Sequence, residues 1–342
     1  MRIGIDLMGS DVSPTSLFTA VEQAAKKLTH ITFVVFLTQQ ALDEILLQQI
    51  LKASFEHLPI EFQIASNVID MQDDPLIAIR EKKDSSLILG LKFLKKRDLD
   101  AFVSAGNTGA LIVGATIHLP LLANIKRPAL LAVLPTKTGE VAIIDVGGNV
   151  SCKARHLVEF AQLGVAYQTS WNKIEKPCVG LLNIGVESKK GTSELREAYQ
   201  ILKTIEKKQP SIFTGNVEAR DVFNGKIDVL VTDGFTGNVL LKTSEGISSF
   251  FLNQLDHILQ QTTPDKRLSI LNHLTSRFDY EEYSGAILCG IDCIVVKCHG
   301  QSSHQGLLKG IEGAIRLVEN HFIDKMKSQL KTHLTHRECD LD

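Results

Sequence analysis

Five glycine- and asparagine-rich segments each close a short apolar run: Ser104–Gly109, Asp145–Asn149, Asn183–Gly185, Thr214–Asn216 and Thr232–Asn238. Apolar runs of this length read as buried strands, so the segments fall at strand ends. In an open parallel sheet, ligands bind outside the carboxyl ends of the strands, where following helices offer free N–H groups to anions. Glycine lets backbone approach a ligand closely, and asparagine supplies both a donor and an acceptor. Five segments of one make within residues 104–238 predict a pooled anion site on an α/β scaffold.

The intervening sequence follows the same grammar. Arg2 to Leu7 predicts a first strand, and Ser13-Pro14 supplies an N-cap and first-turn proline for a helix to about Leu28. Ile31 to Leu37 predicts a strand, Gln39 to Ala53 a helix and Ile60 to Ala65 another strand. A helix from Asp84-Ser-Ser to Lys96 precedes a strand at Asp100 to Val103 and a helix from Thr108. Ala129 to Leu134 and Val141 to Ile144 are close enough to form an antiparallel hairpin, which makes the sheet mixed. Helices are expected at Lys153 to Trp171, Thr192 to Lys208 and Asn238 to Gln261, each directly after a glycine-asparagine segment. Alternation of this kind predicts an α/β fold with a mostly parallel sheet. Composition marks no boundary within residues 1–342, so one domain is expected.

Hydrophobic residues make up 44% of the 342 and charged residues 22%, the balance of a folded globular chain. The net charge of −2 gives no diffuse basic footprint, so nucleic acid is not expected as a partner. Met1 to Gly9 is interrupted by Asp6 and does not read as a secretory signal. The run from Gly109 to Ile125 contains His118 and Pro120 and is shorter than a bilayer span. A cytoplasmic location is therefore expected. The six cysteines have no C-x-x-C spacing; Cys289, Cys293, Cys298 and His299 resemble metal ligands only superficially, because Cys293 to Cys298 lies in an apolar run and reads as small buried strand residues, so no metal is expected there.

Several mechanisms lack their anchors. Gly180 to Gly185 has the glycine spacing of a P-loop, but Val186-Glu187 stand where lysine and a hydroxyl residue are needed. No G-x-G-x-x-G follows the first strand, and neither G-x-S-x-G nor H-E-x-x-H occurs. What remains is a set of neutral donors, Asn107, Asn149, Asn183, Asn216 and Asn238, with Lys190, Lys242 and His299 near them in sequence. That inventory suits an oxyanion such as phosphate, which takes several N–H donors and a compact cation. Lys190-Gly191 lies between a buried strand and a helix start, where a lysine can reach the crevice. Asp145, Asp221 and Asp233 are candidates for helix caps, for holding lysines or for bases, and Glu218 to Asp221 for an ion-pair cluster.

Read together, Ile5 to Gly9, Ala78-Ile-Arg80 with Lys82 and Ser85-Ser86, Ser104 to Ala110, Arg127-Pro-Ala129, Gly180 to Gly185, Lys190-Gly191, Asp233 to Asn238 and His299-Gly300 resemble the phosphate acyltransferase family over nearly the whole chain. The resemblance implies a three-layer α/β/α fold similar to phosphotransacetylases and isopropylmalate dehydrogenases. It implies transfer of a long-chain acyl group from acyl-acyl carrier protein to inorganic phosphate, giving acyl phosphate for phospholipid synthesis without a cofactor. The implied partners are acyl carrier protein, phosphate and a second copy of the chain. Ser10, Gly148, Ala219 and Thr192 depart from the family's usual residues, and none of them removes a charge from the site.

On this reading Lys190 anchors phosphate. Asn183, Asn216 and Asp233 complete the catalytic set, and Lys242 or His299 stabilises the departing thiolate. Gly106, Asn107, Thr108, Gly109, Asn149, Gly185, Gly237 and Asn238 bind substrate. A phosphotransacetylase-like acyl-coenzyme A transferase and a non-catalytic carrier-protein scaffold are the alternatives. The family's amphipathic helical hairpin corresponds to residues 247–278. There Ile247, Phe250, Phe251, Leu255, Ile258 and Leu259 fit a peripheral contact with the inner face of the plasma membrane or a dimer face. Lys92, Lys95, Lys96 and Arg97 form a basic cluster that fits an acidic carrier.

Overall fold

The computed structural model describes residues 1–50, 57–208, 213–260 and 285–334, together with 263, 266–268, 270, 271 and 274. In chain order the elements begin β1 (Arg2–Asp6), α1 (Pro14–Lys27), β2 (Thr32–Thr38), α2 (Gln39–Ile50), β3 (Ile60–Ala65), α3 (Pro75–Glu81), α4 (Ser86–Lys95), β4 (Ala101–Ser104) and α5 (Thr108–His118). They continue β5 (Ala129–Pro135), β6 (Glu140–Ile144), α6 (Ala154–Trp171), β7 (Val179–Leu182), α7 (Ser193–Lys208), β8 (Phe213–Val217), β9 (Val229–Val231) and α8 (Gly234–Leu259). The last elements are β10 (Ala286–Cys289), β11 (Ile294–Lys297), α9 (His304–Glu319) and α10 (Phe322–Leu334).

The described residues group into two compact units, one from Met1–Pro128 with Ser284–Thr332 and the other from Ala129–Tyr283. Composition does not mark this division, because the first unit is completed by elements that return only after the second.

In the first unit the strands run β3-β2-β1-β4-β11-β10. Neighbours are parallel from β3 to β11, and β10 is antiparallel to β11. Ile3, Ile5, Val34, Phe102 and Val295 are fully buried. Strands covered on both faces take near-continuous apolar runs, which is why β1, β2 and β4 do not alternate. The core is tied by Phe36, whose ring meets Phe93 and Phe102 edge-on at 5.4 and 5.8 Å. Ser13 caps α1 by accepting from Ser16 N, with Pro14 in the first turn, as the sequence predicts.

The second unit has the order β5-β6-β9-β7-β8. The expected hairpin is present as the antiparallel pair β5 and β6, while β6, β9, β7 and β8 are mutually parallel. Helix α6 buries Leu157, Phe160, Leu163 and Tyr167 against this sheet. Because four successive strands in the sheet point the same way, the segments after Ile144, Leu182, Val217 and Val231 all emerge at one edge.

Two local expectations need correction. Helix α8 begins at Gly234 rather than Asn238, because the Asp233 carboxylate accepts from Thr236 N and starts the helix earlier. Gly237 and Asn238 are therefore first-turn helix residues. The short helix α3 was not expected, although Asp74 accepts from Ile77 N and Pro75 opens it.

Candidate active site

In the second unit, Asp145 directly follows β6 and turns its carboxylate into the loop it begins. Oδ1 accepts N–H groups from Leu130 (3.0 Å), Gly147 (3.2 Å) and Gly148 (2.9 Å). Oδ2 accepts from Asn149 N (2.6 Å) and Asn149 Nδ2 (2.8 Å). Burial pushes this carboxyl up from the ordinary aspartate range, opposed chiefly by the Asn149 side chain and then by the backbone donors. Asp145 thus shapes the loop, and Asn149 is turned inward onto it. The Asn149 carbonyl in turn accepts from Gly234 N at 2.7 Å, joining this loop to the start of α8. Gly237 packs against the Asp145 carbonyl with no room for a Cβ, and exposed Asn238 sits with Nδ2 beside Gly147.

The next segment is built around Asn183. Its Oδ1 accepts from Ile184 N at 2.8 Å and its Nδ2 donates to the Lys190 carbonyl at 3.1 Å. Asn216 Nδ2 donates to the Glu187 carbonyl at 2.8 Å, and its buried Oδ1 takes no partner among the described residues. Two buried asparagines therefore hold residues 184–191 as a formed loop. Gly185 lies against the Glu187 carboxylate and the Lys190 stem. Lys190 itself is exposed, and its ammonium makes no ion pair among the described residues. Gly191 adopts φ +85°, a left-handed conformation that brings the chain back into α7.

The remaining candidates in this unit have committed side chains. Asp233 accepts from Thr236 N and from the Thr236 hydroxyl, both at 2.8 Å, and so acts as the α8 cap. Lys242, further along α8, is held by Glu245 at 2.8 Å. Arg220 binds Glu218 at 2.6 Å and approaches Asp221 at 3.8 Å, so residues 218–221 are the expected ion-pair cluster. The loops also carry exposed apolar side chains: Val150 is 76% exposed, Ile184 81%, Val186 61% and Phe235 63%.

In the first unit, the segment after β4 leads into α5, which begins at Thr108 as expected. Asn107 caps α5 by accepting from Ala110 N at 3.0 Å, and its Nδ2 donates to the carbonyls of Asp70, Met71 and Asp73. Its amide binds the chain's own residues 70–73. Thr108 and Gly109 form the first turn of α5, with Gly109 pressed against Pro75. Gly106 N donates to Ser104 Oγ at 3.1 Å. His299 follows β11, and its Nδ1 accepts from Gln301 N at 3.1 Å, which in the neutral ring puts the proton on Nε2.

Beneath these loops lies a buried polar row that sequence reasoning missed. Asp6, Ser104 and Lys297 are the last residues of β1, β4 and β11, and strand register places Ser104 opposite both of the others. Ser104 Oγ donates to Asp6 Oδ2 at 2.9 Å. Lys297 Nζ donates to the carbonyls of Ala105 and Cys298. Burial pushes Asp6 up to about 6, opposed by hydrogen bonds from Ser86, Met8 N and Ser104 and by the Lys297 charge. A signal existed in the sequence: three apolar strands each end on a polar residue.

The basic cluster lies elsewhere. Helix α4 leads into the start of β4, so Lys92, Lys95, Lys96 and Arg97 sit toward the opposite end of that strand from Gly106. Arg97 pairs with Asp292 at 3.1 Å. Burial, then Lys95 and Lys92, hold the His118 imidazole below its usual range. Among the described residues no group of three or more His, Cys, Asp or Glu could hold a metal, and burial raises the Cys293 and Cys298 thiols to about 11. No helix among them is long and apolar enough to cross a membrane. On α8, Ile247, Phe250, Phe251 and Ile258 are exposed, Leu255 is half-buried and Leu259 is buried. Most of the expected hairpin beyond residue 260 lies outside the described residues.

The mostly parallel α/β architecture is shared with solved phosphotransacetylases. The enzyme from Streptococcus pyogenes superposes with a TM-score of 0.61 at 15% identity, covering 93% of this chain and 94% of that one. EutD phosphotransacetylase from Staphylococcus aureus gives 0.59 at 14%, with the same coverage. At these identities the likeness establishes the fold. Sequence goes further: residues 1–325 match the family model described as fatty acid synthesis protein. A "Phosphate acyltransferase" from Chlamydia caviae is 41% identical over 334 residues, covering 96% of this chain and 99% of that protein. One of the same name from Caldicellulosiruptor saccharolyticus is 38% identical over 335 residues, covering 96% and 98%. The chain belongs to this fatty acid synthesis protein family, with the phosphate acyltransferases.

Proposed function

We infer that this protein is an acyltransferase that moves an acyl group to inorganic phosphate, taking it from the thioester of a long-chain acyl-acyl carrier protein. The observation that carries the reading is Lys190, an exposed cation without an ion-pair partner among the described residues, on a loop held by buried Asn183 and Asn216. A formed loop that presents exposed Lys190, next to exposed Lys189, suits a small oxyanion, since lysine presents a point charge with three rotatable donors. Phosphate is already a nucleophile near neutral pH, so no activated serine or cysteine is needed. One phosphate oxygen attacks the thioester carbon, the C–S bond breaks, and the thiolate leaves with its electron pair. Holding phosphate in place supplies much of the rate, and each well-placed donor to the developing oxyanion contributes about 3 kcal/mol.

Lys242 and His299 both stand as candidates for protonating the thiolate: Lys242 pairs with Glu245 at 2.8 Å, and a neutral His299 ring carries its proton on Nε2.

The exposed apolar residues Val150, Ile184, Val186 and Phe235 support a long acyl chain over acetyl, because they sit within or beside the polar loops. Their solvation would oppose a small polar donor, while an alkyl chain gains from covering them. The exposed residues of α8 are read as the contact for a second copy of the chain, with a lipid surface as the competing reading. Comparing palmitoyl-acyl carrier protein with acetyl-coenzyme A as donors tests the substrate directly. A kcat/KM at least 100-fold higher for the palmitoyl donor supports the reading, and a preference for acetyl-coenzyme A overturns it.

A further inference from the structure

We propose that Asp6 and Lys297 are positioning residues that lock the ends of β1, β4 and β11, setting the Gly106 segment and His299 without touching substrate. The inference rests on the function proposed above for its activity readout.

The geometry is specific. Asp6 Oδ1 accepts Met8 N at 3.1 Å, which fixes the chain leaving β1. Asp6 Oδ2 accepts Ser104 Oγ at 2.9 Å, and that oxygen accepts Gly106 N at 3.1 Å, so a two-bond relay runs from the carboxylate to the glycine segment. On the other side, the Ser104 carbonyl accepts Cys298 N at 3.0 Å, and Lys297 Nζ binds the carbonyls of both Ala105 and Cys298. The residue after Cys298 is His299. All three side chains are buried, Asp6 at 1% exposure, Ser104 at 0% and Lys297 at 6%. The Lys297 charge acts on Asp6 from within the same cluster.

Burying a carboxylate and an ammonium under a strand edge is costly, and apolar replacements of both often hold a fold as well. Two charges placed at the ends of adjoining strands, each bonded to the loops leaving those ends, fit a demand for precise placement rather than for stability.

The test uses the full chain with Asp6→Asn, Lys297→Met and the double variant, assayed with palmitoyl-acyl carrier protein and phosphate. Hydrogen exchange is followed at Gly106 and Cys298. Each single variant should lose about tenfold or more in kcat with KM for phosphate changed less than about twofold. The double variant should be no worse than the poorer single, because neither charge is then left buried alone. Exchange at Gly106 and Cys298 should quicken in each single variant. Losses that multiply in the double variant, or a rise in KM at constant kcat, would overturn the proposal. If the wild-type chain shows no phosphate-dependent transfer, the functional reading fails by itself. The exchange arm then decides the pair: unchanged protection in both single variants overturns it, and lost protection that is no worse in the double supports it.

Discussion

Asn183 donates its side-chain amide to the Lys190 carbonyl at 3.1 Å, so the residue directly after β7 sets the backbone from which the candidate phosphate anchor projects. The link is local in sequence and buried, while the Lys190 ammonium remains exposed. On the proposed reading, binding and positioning are separated between two residues seven positions apart.

Lys190→Ala should accordingly change substrate handling and leave the fold intact. A hydrogen bond to a charged group is worth roughly 1.5–3 kcal/mol, so KM for phosphate should rise about 10- to 100-fold. The thermal midpoint should stay within about 1 °C, because exposed Lys190 has no ion pair among the described residues to lose. An unchanged KM for phosphate would remove Lys190 from the site.

Gly191→Ala should damage the same loop from its other end. At φ +85° a side chain is strained, and a Cβ would lie 2.6 Å from Asn183 Oδ1 and 2.8 Å from Nδ2. Strain and contact together should cost about 2 kcal/mol or more in urea unfolding, with turnover falling beyond the loss of folded protein. A variant as stable and active as wild type would contradict the loop's conformation.

Asp145→Asn tests the other loop. Asparagine places an N–H₂ group where a carboxylate oxygen now receives donors, so at least one of Gly147 N, Gly148 N and the two Asn149 donors loses its acceptor. An unsatisfied buried donor costs about 1–3 kcal/mol. Denaturant unfolding should show a loss of that order, and no change would mean that the loop does not depend on Asp145.

Asp6 gives the chain a pH signature. Its carboxyl stands at about 6 in the fold, chiefly through burial, against about 4 when unfolded. The folded chain therefore holds this proton more tightly, so the stability it contributes is fully present below about pH 4 and is lost as pH rises through about 6. Ser86, Ser104, Met8 N and the Lys297 charge oppose the shift without cancelling it. Relative to Asp6→Asn, wild type should gain up to roughly 3 kcal/mol between pH 7 and pH 4. Urea unfolding across that range checks the sign, and a difference that is flat or grows toward pH 7 contradicts it.

Strand ends and helix starts were legible because their signals are local. Ser13-Pro14 announces α1, and the segments at 145–149 and 183–185 mark where β6 and β7 stop. Asp233 was legible as a candidate cap, but the glycine-asparagine pattern that follows it reads as loop and moved the expected start of α8 to Asn238. Asn107 looked like a ligand donor, and its amide donates to the carbonyls of Asp70, Met71 and Asp73, a contact that only tertiary structure creates. The row Asp6, Ser104, Lys297 left only a faint trace, a polar residue at the end of each of three apolar strands. Each residue is an ordinary polar strand end until register sets Ser104 opposite both neighbours. Helix α4 shows the converse, since Lys92 to Arg97 look like a docking patch in sequence while chain direction carries them away from Gly106.

The most direct measurement is release of carrier-protein thiol from palmitoyl-acyl carrier protein with and without inorganic phosphate, with hydroxylamine trapping any acyl phosphate. Phosphate-dependent release with stoichiometric palmitoyl hydroxamate is the predicted result. Release that proceeds equally without phosphate, or no release at all, would contradict the account.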